Sequence, residues 1–414
     1  MERTKIILAH LTQRPVVATV DADDEIVIVS ALRTPIGRAR RGAFAKTPAD
    51  ELLSTVLKGV VEAAGVKPEQ VDDVCVGNVL AENFAVNARG AQFLAGFPAE
   101  VSVNTVNRQC SSGLQAVLNI AGELQSGMID VGIGAGVESM SSKGMGQSSQ
   151  TFSEKIFDLE DENASNLLTP MGITSENVAE KYGVSRETQD TLAMASHAKA
   201  AKARASGRFR DEIVPTPAVQ VDEDGDEVGM KLIYDDDGIR PGTEVATLAK
   251  LKPAFKRGGT TTAGNSSQVS DGAAAVLMAK RSTAQRLGLP VLATLKSSAV
   301  AGVPPAVMGI GPAVAIPKAL EKAGLSVDDV DIFEINEAFA SQATYCVDKL
   351  NIPMDKVNPN GGAIALGHPL GCTGSRQIAT LCHELKRRGG GRGVVSMCIG
   401  TGMGLAAVFE VPPQ

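Results

Sequence analysis

Two stretches far apart in the chain carry the same order of apolar and polar positions. "EAAGVKPEQVDDVCVGNVL" (Glu62 to Leu80) and "EKAGLSVDDVDIFEINEAF" (Glu321 to Phe339) each run from a helix end through Ala-Gly to Val-Asp-Asp-Val and then an apolar run. The glycine is a helix stop, and the short apolar run behind the acids is a buried strand. Roughly 40 residues after each Val-Asp-Asp-Val comes a polar, glycine-containing turn that opens a helix. It reads "NRQCSSGLQAVLNIAGEL" in the first case and "GHPLGCTGSRQIATLCHEL" in the second. A glycine-rich strand follows each, "VGIGAGVESM" and "VVSMCIGTGMG". Three elements in the same order predict a duplicated α/β half. Alternation of strand and helix predicts mostly parallel sheets with helices on their faces.

Ser141 to Asn265 breaks this pattern. It opens rich in Ser, Gly and Met, passes the acidic "DLEDENAS", and carries the helical stretch "SRETQDTLAMASHAKAAKARASG". Ser185 and the residues after it form an imperfect capping box, and Gly207 is the stop. An insertion here is a natural lid or ligand platform. The predicted organisation is a tail or targeting segment at 1–24, a first half at 25–140, an inserted domain at 141–265, the return of the first half at 266–292, and a second half at 293–414.

Composition narrows the function classes. With 414 residues, the chain is long enough for two or three domains. A net charge of −7 with no long Lys/Arg run argues against a general nucleic-acid binder. Cys75, Cys110, Cys346, Cys372, Cys382 and Cys398 show neither a C-x-x-C pair nor a disulfide framework, so they read as thiols in a reducing compartment. No apolar run approaches the length of a membrane span, which predicts a soluble intracellular protein without membrane insertion. The opening "MERTKIILAHLTQRPVVATV" is basic and mildly amphipathic and lacks a secretory h-region. Arg3 and His10-Leu11 resemble the ends of the N-terminal peroxisomal targeting nonapeptide, which implies an import receptor; a mitochondrial presequence is the competing address.

The candidate chemistry begins with Cys110. Free cysteine usually hides in a core, yet this one stands among Asn107, Arg108, Gln109, Ser111 and Ser112, just before the apolar-periodic Leu114, Val117 and Leu118. A strand-to-helix junction in an α/β sheet is where chemistry collects, and helix N–H groups there are expected to lower a thiol pKa. A base is needed beside it. His10 lies in the tail, and His197 is expected at the surface of the insertion helix. His383 is expected to be partly solvated in mid-helix. His368 alone stands in a glycine-flanked turn, at the position corresponding to Cys110 in the repeat, so duplication would bring the two to a common cleft. Cys398 occupies a strand-to-glycine turn where the Gly400 N–H would join that of Cys110 against an oxyanion. Asn336 and Glu337 are polar at a strand end. "VGIGAG" fails as a dinucleotide fingerprint because Val137 replaces the third glycine, and no metal-ligand spacing is seen.

Taken together, Asn107 to Gly113, Asn336-Glu337-Ala338-Phe339, Gly367-His368-Pro369 and Cys398-Ile399-Gly400 resemble the thiolase family over about residues 25 to 411. "MGITSENVAEKYGVSRETQD" and "GTTTAGNSSQVSDGAAAV" are similar to its peroxisomal 3-ketoacyl-CoA branch. The resemblance implies two βαβαβαββ halves in five α-β-α-β-α layers with an inserted loop domain, assembled as a homodimer. It implies a degradative acyltransferase of fatty acid β-oxidation, with 3-ketoacyl-CoA and coenzyme A as substrates and no bound cofactor. By that resemblance Cys110 carries the acyl thioester, and His368 activates it and later the coenzyme A thiol. Cys398 moves the proton at the α carbon. Asn336, through a water, and His368 hold the enolate oxygen, while the N–H groups of Cys110 and Gly400 hold the tetrahedral oxyanion. Coenzyme A contacts fall on Arg240, Thr247, Leu251, Phe255, Ala263, Ser267 and Met308, with Ala338 and Phe339 also lining the substrate site. A basic run (Lys250, Lys252, Lys256, Arg257) suits an anionic ligand.

Three other readings share parts of this pattern. A decarboxylating ketoacyl synthase needs a second histidine where Cys398 stands. A biosynthetic acetoacetyl-CoA thiolase resembles His-Met-Gly where this chain has Pro170-Met171-Gly172, and the change, with Leu167, Leu168 and Val303 to Met308 nearby, implies room for longer acyl tails. A non-catalytic lipid carrier on the same scaffold has no need of both cysteines and His368.

Overall fold

The structure, a computed structural model, describes residues 24–144, 152–222 and 226–413. The targeting reading of residues 1–24 lies outside them but for Asp24. Among the described residues no helix is long and apolar enough to cross a membrane.

The first half runs β1 (Ile26–Arg33), α1 (Ala49–Ala64), β2 (Asp73–Gly77), α2 (Ala85–Leu94), β3 (Ser102–Val106), α3 (Ser112–Ser126) and β4 (Val131–Ser139). The insertion follows, with α4 (Met171–Tyr182), α5 (Arg186–Ala205) and a hairpin of β5 (Thr216–Val221) and β6 (Glu227–Ile233). The chain returns as β7 (Ser270–Lys280) and α6 (Arg281–Leu287). The second half is β8 (Ala293–Gly302), α7 (Gly311–Ala323), β9 (Ile332–Ile335), α8 (Ala340–Lys349), α9 (Thr373–Arg387), β10 (Gly391–Ile399) and β11 (Met403–Val411).

Strand order is β3-β2-β4-β7-β1 in the first half and β9-β10-β11-β8 in the second. Beyond β9, Val357 makes an isolated parallel bridge to Phe333, so a single residue stands where the first half has β3. The duplication read from the two Val-Asp-Asp-Val stretches is thus present in the fold. The prediction of mostly parallel sheets is not. β2 pairs in parallel with β3 and β4, and β9 with β10, but β4–β7, β7–β1, β10–β11 and β11–β8 are antiparallel. In the second half β11 follows β10 through a short turn, and a direct return must run antiparallel; in the first half β7 takes the same antiparallel place beside β4, with the insertion filling the connection.

Five layers follow from which residues each strand face buries. Val74 and Val76 of β2 pack outward with Leu52, Val56 and Val60 of α1, while Cys75 between them faces inward. The inner core joins α3 (Leu114, Val117, Ile120) to α9 (Ile378, Leu381, Leu385) between the two sheets. Val394 and Val408 face the opposite outer layer with Ile316 and Leu320 of α7. Strands buried on both faces read as continuous apolar runs. The glycines of "VGIGAG" serve this packing: a Cβ on Gly134 would meet Val117 Cα at 2.4 Å, and one on Gly136 would meet the Gly371 carbonyl at 2.0 Å. The two sheets touch through β1 and β8, paired at Val27–Thr294 and Ile28–Ala293.

Candidate active site

Cys110 lies in the turn between β3 and α3, part-buried, as the chain passes from the sheet into the central layer. Gln109 adopts φ 48°, a left-handed turn that reverses the chain before the helix. The Ser112 hydroxyl accepts from the Arg108 N–H at 2.9 Å and donates to the Gln109 carbonyl at 2.7 Å, which holds the turn shut. Gly77 lets this helix start sit on the end of β2, since a Cβ there would meet the Ser112 carbonyl carbon at 2.3 Å.

His368 occupies the matching position before α9. Gly367, at φ 107°, admits no side chain: a Cβ would meet Ser270 Oγ at 2.2 Å. The His368 N–H donates to the Gln268 carbonyl at 3.0 Å, so the turn is anchored on the strand approach of β7. The ring tautomer follows from its neighbours. Thr373 Oγ1 donates to the Pro369 carbonyl at 3.0 Å, which leaves its oxygen to accept from His368 Nδ1–H at 2.6 Å. Nε2 is then the basic nitrogen, facing Asn336 Nδ2 at 3.3 Å. Burial, reinforced by Arg376, pushes the His368 pKa down to about 3, so the resting imidazole is neutral.

Cys398 closes β10 and is buried with Met308, Ala338, Phe339 and Met171 around it. The backbone N–H groups of Gly400 and of Cys110 itself act on the Cys110 thiol. Both stabilise a thiolate, yet burial outweighs them and the pKa of Cys110 rises to about 11. The expected lowering by the helix start is therefore wrong in sign: desolvation exceeds what two amide dipoles return. Burial also pushes Cys398 well above the ordinary thiol value, with the Cys110 charge adding to it.

Other sequence expectations divide. Leu251 and Phe255 are exposed, Phe255 packing edge-on to Phe339 with ring centroids 6.1 Å apart. A Cβ on Gly172 would strike the Phe255 ring at 2.2 Å, which explains the glycine after Pro170-Met171. Pro170 stands at the N-cap of α4, which sends Met171 into the cluster around Cys398. The Ser267 N–H donates to the Ala338 carbonyl at 2.9 Å. Arg240, Thr247 and Ala263 lie exposed on the insertion. Of the basic run, Lys256 is taken by Glu180 at 2.7 Å.

His197 is not at the surface: it is buried and its Nδ1 accepts from the Arg240 N–H at 3.2 Å. It points inward because α5 lies between the second half and the loop that carries Arg240. His383 is part-buried, its Nε2 3.0 Å from the Ala31 carbonyl. Ser185 does cap α5, accepting from the Thr188 N–H at 3.1 Å. Glu337 is buried and accepts from Ser196, Asn358 and the Ile364 N–H, which makes it a strut between α5 and the second half.

Sequence reasoning missed Thr373, Gln342 and Glu138. Glu138 ends β4 and accepts from Asn78 Nδ2 and the N–H groups of Val79, Leu80 and Gly371 at 3.0–3.2 Å. One carboxylate thus joins a loop of the first half to the turn that carries His368. The repeat held a signal for it, since "VGIGAGVESM" ends on an acid where a buried strand has no use for one.

Residues 26–282 match the thiolase N-terminal domain family and residues 289–411 the thiolase C-terminal domain family. The chain is 59% identical over 426 residues to 3-ketoacyl-CoA thiolase A, peroxisomal, of Mus musculus, covering 100% of both. The dimeric peroxisomal thiolase of Saccharomyces cerevisiae superposes with a TM-score of 0.86 at 46% identity, over 95% of this chain and 99% of that one. A human mitochondrial 3-ketoacyl-CoA thiolase in complex with CoA gives a TM-score of 0.83 at 38% identity, over 94% and 98%. With both family domains matched in order along the two halves of the fold, this chain belongs to the thiolase family.

Proposed function

We propose that the chain is a degradative 3-ketoacyl-CoA thiolase of peroxisomal fatty acid β-oxidation, acting as a homodimer through an acyl-Cys110 intermediate. The observation that carries this reading is 59% identity along the full chain to a peroxisomal 3-ketoacyl-CoA thiolase, and at the site the amides of Cys110 and Gly400 both favour the Cys110 thiolate. A nucleophile framed by two fixed N–H donors suits a tetrahedral oxyanion, whose charge they meet without reorganising. In the proposed sequence His368 Nε2 takes the Cys110 proton, and the sulfur attacks the 3-keto carbon of 3-ketoacyl-CoA. The carbon–carbon bond breaks with its electron pair going to the enolate of acetyl-CoA. Protonated His368 and Asn336 meet the enolate oxygen, and Cys398 gives its proton to the α carbon. The Asn336 Oδ1 is buried without a protein partner, which supports a water-mediated contact on that side. The proton held by His368 then restores Cys398. His368 next takes the proton of the coenzyme A thiol and returns it to Cys110 as the acyl group leaves.

For coenzyme A we assign the exposed surface of the insertion, with Phe255 on Phe339 as the apolar wall beside the reacting thiols. For the homodimer we assign β3, the outermost strand of the first sheet, with Phe93 and Leu94 of α2 exposed beside it. An unpaired edge flanked by apolar side chains is a template for a second copy.

Incubated with a 3-ketoacyl-CoA and no free coenzyme A, the protein retains an acyl group on the peptide containing Cys110. Cys110→Ala abolishes both adduct and thiolysis. An adduct mapped by mass spectrometry to Cys398 or Cys372 overturns the assignment.

A further inference from the structure

The carboxamide of Gln342, on α8, lies 3.3 Å from Cys398 Sγ. Only one of its two orientations satisfies both polar atoms: the amino group then donates to the Asn336 carbonyl at 3.1 Å, and the oxygen accepts from the Ala343 N–H at 2.7 Å. The atom that meets the Asn336 carbonyl is also the one beside the sulfur. An N–H donor therefore stands against Cys398, and an acceptor does not.

We infer that Gln342 is a positioning residue for the reaction at the α carbon, its amino group holding the Cys398 sulfur in place and supporting its thiolate while it also fixes the main chain of Asn336. Two features show the placement is built. Gln342 is 1% exposed, so its amide has no solvent to choose instead. Gly309 clears the space, since a Cβ there would meet Gln342 Cβ at 2.5 Å. Met308, Ala338 and Phe339 pack around the sulfur and the Cys110 and Cys346 thiols oppose its charge, while its own N–H and the Gln342 amino group meet that charge as donors. Such a donor strengthens as the thiol becomes thiolate, which is the condition for lowering a barrier and not merely for packing. Asn336 and Cys398 are assigned to opposite ends of the enolate, its oxygen and its carbon. One amide linking them keeps both in register.

The inference rests on the proposed acid/base role of Cys398, and two exchange reactions separate the two. Deuterium exchange at the methyl of acetyl-CoA reads proton transfer at the α carbon. Exchange of labelled coenzyme A into acetyl-CoA reads only the Cys110–His368 half-reaction. Gln342→Met keeps the length and removes the donor, while Gln342→Glu keeps the shape and the oxygen toward Ala343. In both, methyl exchange falls at least tenfold and its pH profile moves to higher pH, further for Gln342→Glu, while label exchange stays within about threefold of the unsubstituted protein. Methyl exchange at the normal rate with an unmoved profile overturns the inference, and so does an equal loss of both exchanges, which marks a merely structural residue. Cys398→Ala is run beside them. If it retains methyl exchange, the role of Cys398 fails first.

Discussion

Cys110 is a thiol at rest, and the reasons lie within a few ångströms of its sulfur. Burial raises its pKa to about 11, and the Gly400 and Cys110 amides recover only part of that cost. A neutral His368, its pKa pushed down to about 3, does not hold a standing thiolate–imidazolium pair. The thiolate fraction therefore grows tenfold with each pH unit below about 11. Alkylation of Cys110 by iodoacetamide should climb steadily from pH 6 to pH 9, without the low-pH plateau of an ion-paired cysteine. A rate that levels off below pH 8 contradicts this. In the proposed mechanism the proton therefore leaves Cys110 only as substrate arrives, when the developing charge moves to the carbonyl oxygen and its two N–H donors.

At the scale of elements, the site depends on how closely α3 and α9 approach. A Cβ on Gly374 would meet the Leu114 backbone nitrogen at 2.2 Å, so Gly374→Ala should separate the two helices and cost about 1–3 kcal/mol. Gly122, on α3 itself, has nothing within 4 Å of an added Cβ; there alanine should stabilise by up to about 1 kcal/mol. The midpoints of urea unfolding check the pair, and opposite signs are the expected outcome. These elements were legible in the sequence because both helices open on polar glycine turns after repeated strands. The antiparallel return strands β7 and β11 were not, because a strand buried on both faces carries no mark of its direction. The site divides the same way. Cys110, His368 and Cys398 stand out as reactive types in unlikely settings, whereas Thr373 and Gln342 are ordinary helix residues whose importance lies in contacts across the chain. His197 was misplaced for the same reason: the polar helix around it gives no sign of which neighbour covers it.

For the whole molecule, the test falls on the outer edge proposed as the dimer interface. Phe93 is 51% and Leu94 64% exposed beside the outer edge of β3. Paired substitution Phe93→Lys and Leu94→Glu should move the protein from dimer toward monomer in analytical ultracentrifugation. The turn carrying Cys110 follows β3 directly, so the monomer should also lose thiolysis by tenfold or more. A substituted protein that sediments as an unaltered dimer removes this face from the proposed interface.

The placement of β1 bears on how such a chain is made. Among the described strands it is the first to leave the ribosome, and it sits between β7 and β8. Ile26 pairs with Lys280, and Val27 with Thr294, so both neighbours of β1 lie about 240 to 270 residues further along the chain. At about 5–20 residues per second, synthesis leaves this apolar strand without either flank for roughly ten seconds to a minute. The nascent first half must keep Val27, Ile28 and Val29 out of wrong pairings for that whole interval.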